Sequence, residues 1–482
     1  MPTTGKPARS FFAPPPWDAD SPERLALEDE LPPDHLARLY DRLVDELDLG
    51  ALRRSYAGRG SKPHCPKTLL KLLLYEHARG EFQPKKWHEH LRDSIAVRWL
   101  TQGLRVSLTS LYEFRDRVRP FLAEFHDQVV LAAVSEGHAD GSRGALDGTT
   151  VAANASRHRL LNLEAVERRL AETPPESRRR RGNLREAGVA LQAKLAANAK
   201  RRKDERKPPG RVRVALGDPE APFGLDKLKT FRPLYNVQTM SDVGTDLVLA
   251  YATSASVGDA GWLPPMIERT VAATGRPLRE VLVDSGYPSG EALAYCRDRD
   301  VTLLGPWNEN SFTARKRAAK GGAAQQLPKE RFDFDPSART HRCPEGKTLS
   351  FHGRSRQQRA DGSGFTIEVY RADASDCAAC ALKSSCTRKN ATARTVRRQE
   401  HEELVEELKE RMKRPESKEA YRLRGCAVER RFADAKEHRG LRRFSGRGLA
   451  RADAQVGLTM LAHNLRVLDQ LRERRRLGET AT

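Results

Sequence analysis

Val281-Leu282-Val283-Asp284-Ser285-Gly286-Tyr287 sets three large apolar residues directly before an acid and a glycine turn. A short apolar run bounded in this way reads as a buried strand, and the ends of such strands are where α/β sheets open into a crevice. Upstream, Leu146-Asp147-Gly148-Thr149-Thr150-Val151 embeds another acid in a β-prone stretch, where an unpaired charge is costly. An acid after a strand also serves simply to cap the helix that follows, so neither residue decides the chemistry alone. Around these two, strands are expected over 145–151, 233–240, 247–253, 280–284 and 301–304, with helices over 262–273 and 290–298. Three strands, a helix and two more strands predict an α/β domain built on a mixed sheet.

Working outward toward the N-terminus, residues 1–33 carry Pro14-Pro15-Pro16 and Pro32-Pro33 among charges and read as a flexible arm. Residues 34–140 read as a helical unit. Asp34 is expected to cap a first helix with Leu36, Leu39, Leu43 and Leu47 on one face. A second is expected from Pro66 to Gly80. A third carries Trp87, Leu91, Ile95 and Trp99, and a fourth, capped by Ser107 or Thr109, carries Leu111, Phe114, Val118, Leu122 and Phe125. Short helices with tight turns suit a DNA-reading helix-turn-helix, and equally a packing or dimerisation bundle.

Beyond the sheet, Tyr421 to Lys436 reads as a helix whose apolar residues Val428, Phe432 and Ala435 would press onto the sheet. Glu429 borders that stripe, at a height from which it would reach the strand carboxylates. Arg424 and Lys436 would then lie along the path of a phosphate backbone. An ordinary amphipathic helix laced with ion pairs has the same pattern. The chemistry that needs three carboxylates is phosphodiester cleavage and transfer, in which two Mg²⁺ ions stabilise charge on the attacking and leaving oxygens.

Charge supports a polyanionic partner. The 482 residues hold 86 Lys and Arg against 65 acids, a net of +21. Within 178–213 there are 14 basic residues and 3 acids, so this helical or partly disordered insertion favours DNA-backbone contact over a merely solvated face. No apolar run approaches the roughly 20 residues of a membrane span. Met1-Pro2-Thr3-Thr4-Gly5-Lys6 lacks the apolar stretch of a secretory signal, so a cytoplasmic protein is expected. Cys343, Cys377, Cys380 and Cys386 cluster in a segment over 311–395 that reads as loop-rich. Four soft ligands suit a closed Zn²⁺ site, although an iron–sulfur cluster or free thiols fit the same spacing. Cys65, Cys296 and Cys426 are expected to be packing residues.

Taken together, these residues resemble the DDE transposases of bacterial insertion sequences. Asp147 stands in the Leu146-Asp147-Gly148-Thr149 motif, followed by Ala153-Asn154-Ala155-Ser156, and Asp284 precedes the Gly286-Tyr287 turn. The strand Tyr235-Asn236-Val237-Gln238 also matches, in a structural role. Tyr421, Arg424, Glu429 and Lys436 resemble the family's C-terminal motif. Arg442-Arg443-Phe444, Arg447-Gly448 and Ala462-His463-Asn464-Leu465 complete the likeness. The resemblance implies a ribonuclease-H-like mixed sheet flanked by helices, in two parts over 141–310 and 396–470. An N-terminal all-α domain, the small Cys-rich insertion and a basic tail over 471–482 complete the organisation. It implies catalysis by Asp147, Asp284 and Glu429 with two Mg²⁺ ions, and DNA contact by Tyr421, Arg424, Lys436, Arg442, Arg443 and Arg447. Terminal repeats would be cut, the freed 3′-hydroxyl would attack target DNA, and a homodimer would hold both ends. A nuclease without strand transfer and a non-catalytic DNA-binding descendant remain the alternatives.

Overall fold

The computed structural model describes residues 11–18, 20–56, 62–201, 203, 205–226, 228–308, 327–358, 364–387 and 390–478, without the side chains of Glu429, Arg430 and His438. Its centre is a mixed sheet of β1 (Arg143–Ala152), β2 (Phe231–Asp242), β3 (Val248–Ser254), β4 (Glu280–Val283) and β5 (Thr302–Leu304). In space the order is β3-β2-β1-β4-β5, with Phe223–Leu225 adding a short strand beside β2. The first three strands form an antiparallel meander, while β4 runs parallel to β1 and β5 parallel to β4. This is the ribonuclease-H-like mixed sheet that the resemblance implied, and all five expected strands are present.

Side chains alternate across β1 and β4, and two different cores result. Leu146, Val281 and Val283 enter the large core, whereas Ala145 and Leu282 pack on the opposite face with Leu304, Ala427 and Val428. The second face is covered by the helix Pro415–Ala433, which brings Val428 down as its stripe required. Phe432 and Ala435 follow onto Val151, Tyr235 and Val237. The expected single helix does not reach Lys436 in regular form, because Asp434–His438 widens into a π turn.

The N-terminal helices are α1 (Leu36–Asp45), α2 (Pro66–Ala78), α3 (Pro84–Asp93), α4 (Ile95–Leu100), α5 (Leu108–Val118) and α6 (Leu122–Ser135). His35, rather than Asp34, caps α1, its ring nitrogen accepting from Ala37 N at 3.1 Å. The stretch read as one helix through Trp87 and Trp99 breaks at Ser94, whose hydroxyl caps Val97 N and starts α4. The segment read as an arm is folded from Phe11 onward. Trp17 packs under Gly103, Leu27 and Leu31 are buried, and Pro22–Glu28 is helical; residues 1–10 lie outside the described residues. The polar and proline content of this stretch masked a few large side chains that find a place in the core.

One apolar core runs from Leu27 through these helices into the sheet and on to Leu471. The link is the long C-terminal helix Leu449–Arg476, which packs against α2, α6 and β3. The residues read as a basic tail begin within its last turns. Tyr40 donates its hydroxyl to Ala462 O at 2.8 Å. Asn464, fully buried, accepts from Val248 N at 2.9 Å, donates to Val248 O at 2.8 Å and meets the His126 ring at 3.1 Å. Thus Asn464 completes the backbone pairing of the outer strand β3, a structural task.

Two further units project from this body. The basic segment forms a helix, Arg178–Ala199, that buries Leu184, Ala187 and Leu191 against Val166, Val212 and Val214. The Cys-rich segment is a five-stranded antiparallel sheet of Asp333–Asp335, Thr340–Arg342, Thr348–Gln358, Gly364–Ala372 and Thr395–Gln399, not the loop-rich piece expected. Its strands are polar on both faces over much of their length, so they carry little hydrophobic alternation. Residues 309–326 before it lie outside the described residues. Of the three cysteines expected to pack, Cys296 is buried but Cys426 is exposed on the Pro415–Ala433 helix.

Replacing Asn464 by Ala should leave the β3 backbone groups at Val248 without partners and lower stability by about 2–4 kcal/mol. Thermal or urea unfolding followed by circular dichroism checks this, and an unchanged midpoint would discard the role given to Asn464.

Candidate active site

The parallel pairing of β1 and β4 ends at Leu146 opposite Val283. Asp147 and Asp284 are the next residues on each strand, so the two acids leave adjacent strands at the same level. Neighbouring strands lie about 4.8 Å apart, which makes the pair close neighbours. By alternation both belong to the face that the Pro415–Ala433 helix covers. Asp284 is fixed by its own turn, where Gly286 N donates to Oδ1 at 2.8 Å.

That helix supplies charge to match. Arg424 donates from Nη2 to Asp147 Oδ1 at 3.0 Å, with side-chain exposures of 13% and 17%. Its buried Nε–H has no acceptor among the described residues. Tyr421 lies close by. Burial raises the pKa of its hydroxyl, opposed by Arg424 and reinforced by Asp284 and Asp147. In the π turn, Lys436 donates to Thr149 Oγ1 at 2.5 Å and to Thr150 O at 3.1 Å, holding the far half of β1. Such a turn is a frequent feature of functional helices. Glu429 is one residue beyond buried Val428 on the same helix, and its side chain lies outside the described residues.

The opposite face holds a carboxylate that the sequence reading did not select. Asp259 Oδ1 accepts from Asn236 Nδ2 at 2.9 Å and from Gln238 Nε2 at 2.7 Å. Gln238 Oε1 in turn accepts the Tyr287 hydroxyl. This network closes over Gly148, where a Cβ would stand 2.3 Å from Asp259 Oδ1 and 2.4 Å from Gln238 Nε2. Tyr287 is buried, and burial, then Asp259, Asp147 and Asp284, push its hydroxyl far above the ordinary phenol range. The glycine after Asp147 and the tyrosine after Asp284 therefore belong to one assembly. Asp259 lies in the loop between β3 and the helix Leu263–Thr274, where its local sequence gives no signal that could have found it.

The remaining predicted residues lie away from the acids. Arg443 and Arg447 line a cavity of about 570 Å³ with Arg157, Arg159 and Arg232. The Ala153–Ser156 run forms another wall, and Asn154 Nδ2 ties it to Ser445 O at 2.6 Å. Arg442 pairs with Glu437. Cys343, Cys377 and Cys386 pack around one small core with Leu349, Tyr370 and Val396, and no disulfide joins them. Lys347 N donates to Cys343 Sγ at 3.3 Å and Arg394 N to Cys377 Sγ at 3.4 Å. Among the described residues, no three His, Cys, Asp or Glu side chains are gathered tightly enough to hold a metal ion. None of the described helices is long and apolar enough to cross a membrane.

Comparison with known proteins gives two family matches. Residues 342–469 match a model described as a transposase DDE domain, and residues 25–117 match one described as a transposase domain (DUF772). The first takes in the strands Thr348–Gln358, Gly364–Ala372 and Thr395–Gln399 of the Cys-rich sheet and the helix of Arg424 and Glu429; the second runs from before α1 into α5. No curated protein matches the chain. Among solved structures, a piggyBac transposase synaptic complex with hairpin DNA is 10% identical, covering 96% of this chain and 78% of that one at a TM-score of 0.30, a likeness that carries no argument.

Gly148→Ala should force Asp259 and Gln238 off β1. The expected loss is about 1–3 kcal/mol of stability together with most of the DNA-cleaving activity. Gly182→Ala, on the open side of the basic helix with nothing within 4 Å, should be neutral or stabilising. Parallel melting and cleavage assays compare the two, and equal behaviour would remove the close approach from the account.

Proposed function

The chain is a DDE transposase, and from that premise we propose that Asp147, Asp284 and Glu429 form its catalytic centre for DNA cleavage and strand transfer. The observation that carries the reading is the β1–β4 register, which sets Asp147 and Asp284 side by side beneath the helix of Arg424 and Glu429. The donor set fits a hard divalent cation, because carboxylate oxygens are the ligands that Mg²⁺ prefers. Asp147, Asp284 and Glu429 would hold it, and two such ions supply positive charge against the attacking and leaving oxygens.

The chain's other residues bind and orient. Arg424 offsets the charge of Asp147 and sets a guanidinium beside the acids, where a phosphate would meet it. Lys436 steadies the strand beyond Asp147, and Tyr421 lies against the acids as a flat surface for DNA. Arg443 and Arg447, in their arginine-lined cavity, suit a phosphate backbone, and Arg442 lies beside them on the same loop. These contacts fix position and carry no sequence information. Two terminal repeats held together call for a homodimer.

The test is joining of pre-cut ends to target DNA with Mg²⁺. Asp147→Asn, Asp284→Asn and Glu429→Gln should each reduce joining roughly a thousandfold, the scale of about 4 kcal/mol in the transition state, while DNA binding persists. Cutting without joining would identify a nuclease, and binding without either would identify a non-catalytic descendant.

The zinc expected at Cys343, Cys377, Cys380 and Cys386 is not part of this reading, because these four described thiols are not gathered tightly enough to hold a metal ion.

A further inference from the structure

The carboxylate of Asp259 has a place that its structural contacts do not exhaust. Both amide donors, from Asn236 and Gln238, go to the same oxygen, Oδ1. No described residue donates to Oδ2. The side chain borders the turn after β4: a Cβ on Gly286 would lie 3.7 Å from both Cβ and Oδ2 of Asp259 and 3.0 Å from Asp284 Oδ1. The two carboxylates therefore border the same point, and Oδ1 of Asp259 lies against the residue that follows Asp147. An acid needed only to fasten the loop before the helix Leu263–Thr274 would gain more by spreading its two oxygens over several donors. Here one oxygen takes both bonds and the other is left toward the acids.

The anchoring is also stiffer than an exposed acid requires. Asn236 and Gln238 are buried on β2, and Tyr287 Oη holds Gln238 from behind. The donors fix the carboxylate plane with respect to β1, so its position is set by the sheet and not by its own loop.

We propose that Asp259 is a positioning residue of the reaction centre, a fourth carboxylate whose Oδ2 would help hold the water of a divalent metal bound at Asp147 and Asp284. The inference rests on the catalytic reading of Asp147 and Asp284. It accounts for the absence of a side chain at Gly148, for the amides of Asn236 and Gln238, and for the tyrosine that follows Asp284. A carboxylate of this kind acts through the water it orders, so its removal should weaken metal affinity without abolishing it.

The experiment is titration of the full-length protein with Mn²⁺ alone, read by calorimetry or by the Mn²⁺ electron-spin signal, alongside melting curves. Asp259→Asn keeps an oxygen for the two amides and replaces only the second one. It should weaken Mn²⁺ binding by about 10–100-fold, the range found when an outer ligand of a metal site is lost. Asp259→Glu, which restores the charge, should recover part of that loss. Asp147→Asn should abolish the same binding. Loss with Asp147→Asn but none with Asp259→Asn overturns the role of Asp259 and leaves the catalytic reading intact. Binding unaffected by Asp147→Asn overturns the catalytic reading itself. If Asp259→Asn does not fold, Asn236→Ala removes one of the two anchoring donors and leaves the carboxylate; unchanged Mn²⁺ affinity there also overturns the proposal.

Discussion

The parallel register between β1 and β4 is the constraint from which the site follows. Pairing Leu146 with Val283 brings the two following residues to the same edge, and both are acids. A shift of one residue would turn one of them to the other face and bury it among the aliphatic side chains of the large core. The apolar pattern of both strands excludes that shift: Ala145 and Leu282 have one set of partners, Leu146 and Val283 another. The hydrophobic alternation that stabilises the sheet thus also fixes which way the carboxylates point. Like charges so close oppose each other, and Arg424 offsets part of that repulsion from the covering helix.

The elements nearest the site were the most legible. All five central strands, the Val428–Phe432–Ala435 stripe and the neighbourhood of Asp147, Asp284, Arg424 and Tyr421 could be read in the residues, because buried strands and a helix on a sheet impose strict periodicity. What escaped were features decided by contacts distant in sequence. Asp259 acquires meaning only from Asn236, Gln238 and the empty space at Gly148, none of which its local sequence reveals. The break at Ser94 lies within a run whose four-residue spacing continues across it, so the capping hydroxyl was hidden by the pattern. The strands over 348–372 failed to register for the opposite reason: a small sheet with both faces largely in water has no alternation to display.

The segments on either side of the sheet share its interior. Arg439 donates to Ala78 O at 3.1 Å, and Ser445 Oγ to Phe82 O at 3.0 Å, so the loop following the π turn is fastened to the turn after α2. Gly80, at φ +78°, lets the two backbones meet, since a Cβ there would stand 3.0 Å from Arg439. Any displacement of the N-terminal helices would therefore be felt by this loop. The helical unit and the catalytic sheet are mechanically coupled through ordinary packing and a few backbone bonds.

The helix Leu449–Arg476 carries a consequence for the order of assembly. It covers the outer strand β3 and the helices α2 and α6, whose residues lie hundreds of positions earlier in the sequence. Contacts across such separations form late and slowly. The sheet that carries Asp147 and Asp284 is therefore closed on its outer side only when this helix docks, so its completion waits on the most distant contacts in the fold.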